Sequence, residues 1–243
     1  MDSTQIEAHK WTVEEFERLV FAANPKVAVF DCDGTLWKGD TGSGFMNWSI
    51  EQGLVSRSTS DWIDGRYRTY LAGGSSELAI CGEMVQIYAG LREQELHDAA
   101  TRYMSEFLPS AIFQDMAALV ASLQKMGVEL WAVSSTSRWV IAEGVRAFGI
   151  PQDRVLAVEL GVASGVITSE LLDVPTDEGK SASLARRGIT RPDCVFGNSI
   201  HDLAMLEIAR QAFPVNPTQA LLQAATARGW GYFMPQAAEA KAT

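Results

Sequence analysis

The chain has no basic run. Its 243 residues carry 30 Asp and Glu against 20 Lys and Arg, a formal net charge of -10. A nucleic-acid binder would show a basic patch, so no nucleic-acid partner is expected. An acidic protein also repels anions at long range, and a phosphate ligand would need a local positive centre. Long apolar runs are missing as well. None approaches the roughly 18 residues that a membrane span needs, so no membrane partner is expected. Residues 1–10 are polar and do not read as a signal peptide. Cysteine is scarce and odd in number: Cys32, Cys81 and Cys194, with Cys32 and Cys194 in or beside apolar strands. They read as reduced, buried thiols of a cytoplasmic protein, not as a disulfide frame or a zinc site. Internal repeats and low-complexity tracts are absent.

What the chain does have is a 47% hydrophobic composition, enough for one large domain or one domain plus an insert. Its organising stretch is Val27-Ala28-Val29-Phe30-Asp31-Cys32-Asp33-Gly34-Thr35-Leu36. Four apolar residues read as a buried strand. Asp31 and Asp33 follow at i and i+2, which point to the same side of a strand. Two adjacent carboxylates repel unless a cation sits between them. Oxygen ligands of this kind suit Mg²⁺. The alternative is a polar Asp-Gly turn after a strand.

Thr12-Val13-Glu14-Glu15 is a capping-box pattern, predicting a helix with Phe16, Leu19 and Val20 on one face that stops at Asn24-Pro25. Residues 41–110 are aromatic-rich and read as several helices, broken at Gly73-Gly74-Ser75-Ser76. The domain reading is therefore an α/β core over 1–40 and 111–243 with an inserted helical lid over 41–110. From residue 111 strands and helices alternate. Helix 116–126 precedes strand 128–133, with Ser134-Ser135-Thr136-Ser137 at its end. Helix 139–148, strand 155–160, a hairpin over 161–171 turning at Ser164-Gly165, and helix 181–187 follow. Strand 194–196, helix 203–210, strand 212–215, helix 218–228 and an edge strand at 230–233 complete the run, and the Ala-rich tail after Pro235 reads as frayed. The fold class is α/β: a doubly wound, mostly parallel sheet.

Ligands of such sheets sit beyond the carboxyl ends of the strands. Three strand ends here are polar: Asp31 and Asp33; Ser134, Ser135 and Thr136; Asn198, His201 and Asp202. Lys180 adds a cation just before a helix. Singly each has a plain reading, the hydroxyls as a helix cap, Lys180 as a surface lysine, and His201 as a surface or capping histidine. Together they supply a nucleophile, an acid, a hydroxyl donor, a cation and a metal ligand.

Asp31-Cys32-Asp33-Gly34-Thr35, Ser134, Lys180 and Gly197-Asn198-Ser199-Ile200-His201-Asp202 resemble the four motifs of the haloacid dehalogenase superfamily, closest in spacing to its phosphoserine-phosphatase-like branch. That resemblance implies a Rossmannoid core with an inserted helical cap, and a phosphatase acting on a small phosphorylated metabolite. It makes Asp31 the nucleophile that forms an aspartyl phosphate and Asp33 the general acid and base. Ser134 and Lys180 hold the phosphoryl group, with Gly34, Thr35 and Ser135 beside them. Mg²⁺ is held by Asp31, the main-chain carbonyl of Asp33 and Asn198, with Asp202 either reaching the metal through water or orienting Lys180. Most relatives carry Asp at position 198, so weaker metal binding is implied. An acid at position 33 argues against a dehalogenase, and the absence of lysine from residues 41–110 argues against phosphonate cleavage.

The substrate stays open between phosphoserine-like esters and cationic leaving groups such as phosphocholine or phosphoethanolamine. Asp40, nine residues after Asp31, is a candidate for a substrate amine, and Glu83 a second acidic contact from the lid. The aromatic residues of the lid either bind the leaving group through cation–π contact or pack its helices together. A phosphomutase and a non-catalytic phosphate-binding regulator are the alternatives. The oligomeric state is not legible.

Overall fold

The computed structural model describes residues 8–239. Strand β1 (Lys10–Trp11) leads into helix α1 (Val13–Ala22). The capping box is in place: the Thr12 hydroxyl accepts from the Glu15 N–H, and the Glu15 carboxylate accepts from the Thr12 N–H. Strand β2 (Val27–Phe30) follows. Then come four helices, α2 (Thr41–Glu51), α3 (Arg57–Leu71), α4 (Glu77–Gln86) and α5 (Glu93–Phe107). The glycine-serine break lies between α3 and α4, where Ser76 caps α4. Strand and helix then alternate through α6 (Gln114–Lys125), β3 (Glu129–Ser137), α7 (Arg138–Arg146), β4 (Val155–Ala163), β5 (Val166–Asp173) and α8 (Glu178–Arg186). The chain finishes with β6 (Cys194–Gly197), α9 (Leu203–Glu207), β7 (Gln211–Pro214), α10 (Gln219–Ala227), β8 (Tyr232–Phe233) and α11 (Gln236–Glu239).

The main sheet has the order β5-β4-β3-β2-β6-β7. Its pairs are parallel except β4–β5, the expected hairpin, which is antiparallel. Ser164 and Gly165 at the turn both have positive φ, 53° and 75°. Alternation along the strands divides the core. Ala28 and Phe30 of β2 join Phe16 of α1, Leu119 of α6 and Val140 of α7 on one face. Val29 joins Leu184 of α8, Met205 of α9 and Leu221 of α10 on the other. Both faces are covered, as a doubly wound sheet requires. The chain leaves β2 for β3 on one side and later returns to β6 on the other. The crevice beyond their carboxyl ends is the topological switch point.

The structure corrects several sequence expectations. β3 does not stop at Val133; it runs through the hydroxyl residues to Ser137, with a register shift against β4. The Ser137 hydroxyl makes no cap bond to α7 and is buried without a hydrogen-bond partner. Lys180 lies inside the first turn of α8, not ahead of it. α9 is shorter than the 203–210 expected. β8 (232–233), within the edge strand expected at 230–233, pairs in parallel with β1, which the sequence reading missed, and meets the main sheet through a single bridge from Phe233 to Val215, just past β7. Residues 236–239 form a helical turn where a frayed tail was expected. The polar residues 1–7 and the end of the tail, 240–243, lie outside the described residues.

The helices of residues 41–110 are held to the sheet at more than their two ends. Gly90 N–H donates to Ile167 O (2.8 Å), Ile167 N–H to Leu91 O (2.9 Å) and Glu93 N–H to Gly165 O (3.0 Å), so the link between α4 and α5 is hooked by the β4–β5 hairpin. Gln86 adds a side-chain bond to Ser169 O (2.8 Å).

Candidate active site

Asp31 emerges from β2 with its N–H bonded to Phe196 O of β6 (2.9 Å), so the strand ladder fixes its backbone. The chain then turns: Gly34, at φ +77°, donates to Trp37 O (2.7 Å). A Cβ on Gly34 would lie 2.0 Å from the Asn198 amide, so glycine is needed there for both conformation and close approach. The turn brings Asn198, from the end of β6, against the loop carrying the two acids.

Asp31 is buried. Its Oδ2 accepts from the Thr35 hydroxyl (2.9 Å) and its Oδ1 from Lys180 Nζ (2.7 Å). Lys180 is buried too, and also donates to Asp202 Oδ1 (2.5 Å) and Val133 O (3.4 Å). The other oxygen of Asp202 accepts from the N–H groups of Asn198 (2.9 Å) and Ser199 (2.8 Å). Asp202 is thus consumed in orienting Lys180 and the Asn198 loop; of its two expected roles, this geometry fits the second. Burial first, then the charge of Asp202, lifts Asp31 to about 7 against the pull of Lys180. Burial would lower Lys180, but Asp202 and Asp31 outweigh it and hold the ammonium above its ordinary value.

Asp33 is saturated by donors. Oδ1 accepts from Trp37 Nε1 (2.7 Å), Thr41 N–H (2.9 Å) and the Thr41 hydroxyl (2.7 Å). Oδ2 accepts from the hydroxyls of Thr41 and Thr136, each at 2.9 Å. Burial, with the charge of Asp40 next, raises it to about 6 in spite of the Thr41 and Trp37 donors. The sequence reading gave no site role to Trp37, Thr41 or Thr136. Thr136 was visible as one of the polar residues at the end of β3; Trp37 and Thr41 left no signal beyond their nearness to the motif.

These groups floor a cavity of about 240 Å³. Ser134, Ser135, Thr136 and Ser137 line one side, Asn198, Ser199 and His201 another, and residues of α2, α3 and α4 roof it. The Ser134 hydroxyl accepts from Thr136 N–H (3.2 Å), which leaves its own proton to donate. Gly34 and Thr35, expected at the phosphate, do not line the cavity; Thr35 stands behind Asp31. Asp40 does line it, but as N-cap of α2 it already accepts from Gly42 N–H (2.8 Å), Ser43 N–H (3.1 Å) and the Ser43 hydroxyl (2.7 Å). Glu83 is outside. It pairs with both nitrogens of the Arg66 fork at 2.8 Å, on the flank of α4 that faces α3. The acid that α4 turns inward is Glu77. Six positions are about 240° around a helix, so the two cannot share a face. His201 is not an ordinary surface histidine: it lines the cavity, with Nδ1 2.7 Å from Asp177 Oδ1 and Nε2 3.6 Å from Glu77 Oε2.

Among the described residues no three His, Cys, Asp or Glu side chains cluster as a metal site of their own. On the expected ligation the donors would be the Asp31 carboxylate, the Asp33 main-chain carbonyl and the Asn198 amide, and Asn198 does stand against the loop that carries the two acids. The charge balance fits a divalent cation. Once Asp31 and Asp33 are ionised, these two and Asp202 against Lys180 leave two negative charges unmatched in the site, and oxygen donors of this kind suit Mg²⁺.

Comparison with known proteins bears on the fold and the family. The chain is 28% identical over 214 residues to a histidinol-phosphatase of Neisseria meningitidis serogroup C (strain 8013), covering 84% of this chain and 96% of that one. A protein of unknown function from Bordetella pertussis Tohama I superposes with a TM-score of 0.76 at 21% identity, over 85% of this chain and 97% of the other. A phospho-aspartyl intermediate analogue of phosphoserine phosphatase superposes at 0.58 and 15%, over 87% and 94%, a likeness of fold. Residues 28–207 match the haloacid dehalogenase-like hydrolase family, and the chain belongs to it.

Proposed function

We propose that this protein is a Mg²⁺-dependent phosphomonoesterase of the cytoplasm that works through an aspartyl phosphate on Asp31. In this reading residues 41–110 are a cap over a core formed by 1–40 and 111–243. The observation that carries it is the Asp31 carboxylate at the cavity floor, with Lys180 Nζ 2.7 Å from one oxygen. The free, buried Cys32, Cys81 and Cys194 are in keeping with a reducing compartment.

Asp31 attacks phosphorus, the P–O bond to the leaving group breaks, and an acyl phosphate forms. Lys180 and the Ser134 hydroxyl neutralise the phosphoryl oxygens. Mg²⁺, held by Asp31, the Asp33 carbonyl and Asn198, would supply the remaining positive charge. Asp33 gives a proton to the leaving alkoxide and takes one from the water that hydrolyses the acyl phosphate. The proton sits on Oδ2. At Oδ1 two of the donors are N–H groups, which cannot accept; at Oδ2 both are hydroxyls, which can turn round. A value of about 6 keeps both protonation states within reach near neutrality. The name of the Neisseria relative makes histidinol phosphate the first natural ester to try.

The test is turnover of p-nitrophenyl phosphate. Purified protein with Mg²⁺ should release p-nitrophenol, and Asp31→Asn should release none. If the wild type turns over no ester in a broad phosphate panel, the reading fails. Isomerised ester in place of free phosphate would make the protein a mutase.

A further inference from the structure

The cavity roof has a charge pattern of its own. Above Asp31, α2, α3, α4 and the residues just after α4 present Phe45, Tyr67, Tyr70, Met84 and Tyr88, and among them one carboxylate whose cap-forming duties are light: Glu77. Glu77 lies in the first turn of α4, and its side chain is 17% exposed. Tyr70 donates to Oε2, Cys81 Sγ lies 3.4 Å from Oε1, and His201 stands 3.6 Å from Oε2. These contacts hold the carboxylate in one place and leave it lone pairs, since each oxygen accepts about two bonds.

Among the described residues no arginine lines the cavity. Arg66 is tied to Glu83, Arg102 lies over the Trp48 ring (5.0 Å), and Arg57 is on the surface beside Asp61. The lysine there, Lys180, is already shared by Asp31 and Asp202. The other basic group there, His201, is already engaged by Asp177 and Glu77, so a carboxylate on the leaving group would find no free cationic partner beneath the roof and would face Glu77 and Asp40. A protonated amine would find a fixed carboxylate and aromatic faces.

We infer that Glu77 is the specificity residue of the leaving-group pocket: it receives a protonated amine, so the substrates are phosphate esters of amino alcohols that carry no carboxylate. This rests on the phosphomonoesterase reading and deepens it.

The experiment compares short amino alcohol phosphates of increasing chain length, each beside the n-alkyl phosphate of equal length, with O-phosphoserine and p-nitrophenyl phosphate as references. The wild type should prefer at least one amino ester to its alkyl match by about tenfold or more in kcat/KM, and phosphoserine should trail phosphoethanolamine. Glu77→Gln should raise KM for the preferred amino ester about ten- to hundredfold, with kcat little changed. The loss on the amino ester should exceed the loss on p-nitrophenyl phosphate about tenfold or more, whereas a merely structural role for Glu77 would lower both alike. Turnover of p-nitrophenyl phosphate without an amine preference, or equal losses on every ester in Glu77→Gln, overturns the inference and leaves the phosphatase standing. No turnover of any ester overturns both. If Glu77→Gln does not fold, the wild-type pairs decide alone.

Discussion

At the scale of single residues, the division of labour proposed for the two acids rests on who donates to them. Asp31 faces Lys180, a fixed charge; Asp33 faces two hydroxyls that can reverse. Asp33→Asn should therefore cost about a hundred- to ten-thousandfold in kcat on alkyl phosphates, whose alkoxides leave only with a proton. It should cost far less on p-nitrophenyl phosphate, whose phenolate leaves unaided. The ratio of the two losses is the readout, and equal losses would remove Asp33 from the proton-transfer role. The pair of acids was legible in the sequence because the chemistry is local, a strand end with carboxylates at i and i+2. Their partners were not. Thr136 reaches Asp33 from 103 positions away, and Thr41 approaches it through the first turn of α2. Neither residue type marks itself in a sequence. The same limit explains Glu83 and Glu77: acidity was visible, but which flank of α4 turned inward depended on packing against α3 and the hairpin.

At the scale of elements, two helix glycines test how much room each contact leaves. A Cβ at Gly82 of α4 would meet Leu171 Cδ1 at 2.9 Å, the free end of a side chain that is 39% exposed. A Cβ at Gly144 of α7 would meet Met104 Cε at 2.7 Å and Trp37 Cη2 at 2.9 Å. Trp37 is fully buried and pinned at its other end to Asp33. Leu171 can swing aside, so Gly82→Ala should be neutral or stabilising by up to about 1 kcal/mol from helix propensity. Gly144→Val should cost about 1–3 kcal/mol through overpacking, and lower kcat as Trp37 shifts. Urea melts of the two variants check the contrast; equal stabilities would mean that the α5–α7 seam is looser than its distances imply. Element order was largely legible in the sequence, from hydrophobic period and from caps such as Thr12 and Ser76. The β1–β8 pair was not, because two residues are too short to carry a period, and the pairing joins opposite ends of the chain.

At the scale of the whole molecule, charge and pH are linked through the site. Asp31 and Asp33 are both raised above the usual carboxylate range, to about 7 and about 6. Between about pH 4 and about pH 7 the metal-free folded chain binds protons that the unfolded chain has released. Folded stability from these groups is therefore greatest at the acid side of that window and falls as pH rises through the folded values. Thermal melts in EDTA should show Tm decreasing from about pH 5 to about pH 8, and less steeply in Asp31→Asn. Mg²⁺ should raise Tm most at the alkaline end, where both carboxylates are ionised. A Tm in EDTA that climbs over this interval, or that ignores Mg²⁺ at its upper end, contradicts the charge balance described for the site. The overall net charge of -10 pushes in the same direction, since self-repulsion grows as acids ionise.

The main-chain bonds between the β4–β5 hairpin and the turn joining α4 to α5 have one more result. A roof stitched to the walls along a third seam can tilt, but swinging clear would cost three backbone bonds at once. If the protein is the phosphatase proposed, a roof held this way admits free esters and hinders phosphorylated side chains of folded partners.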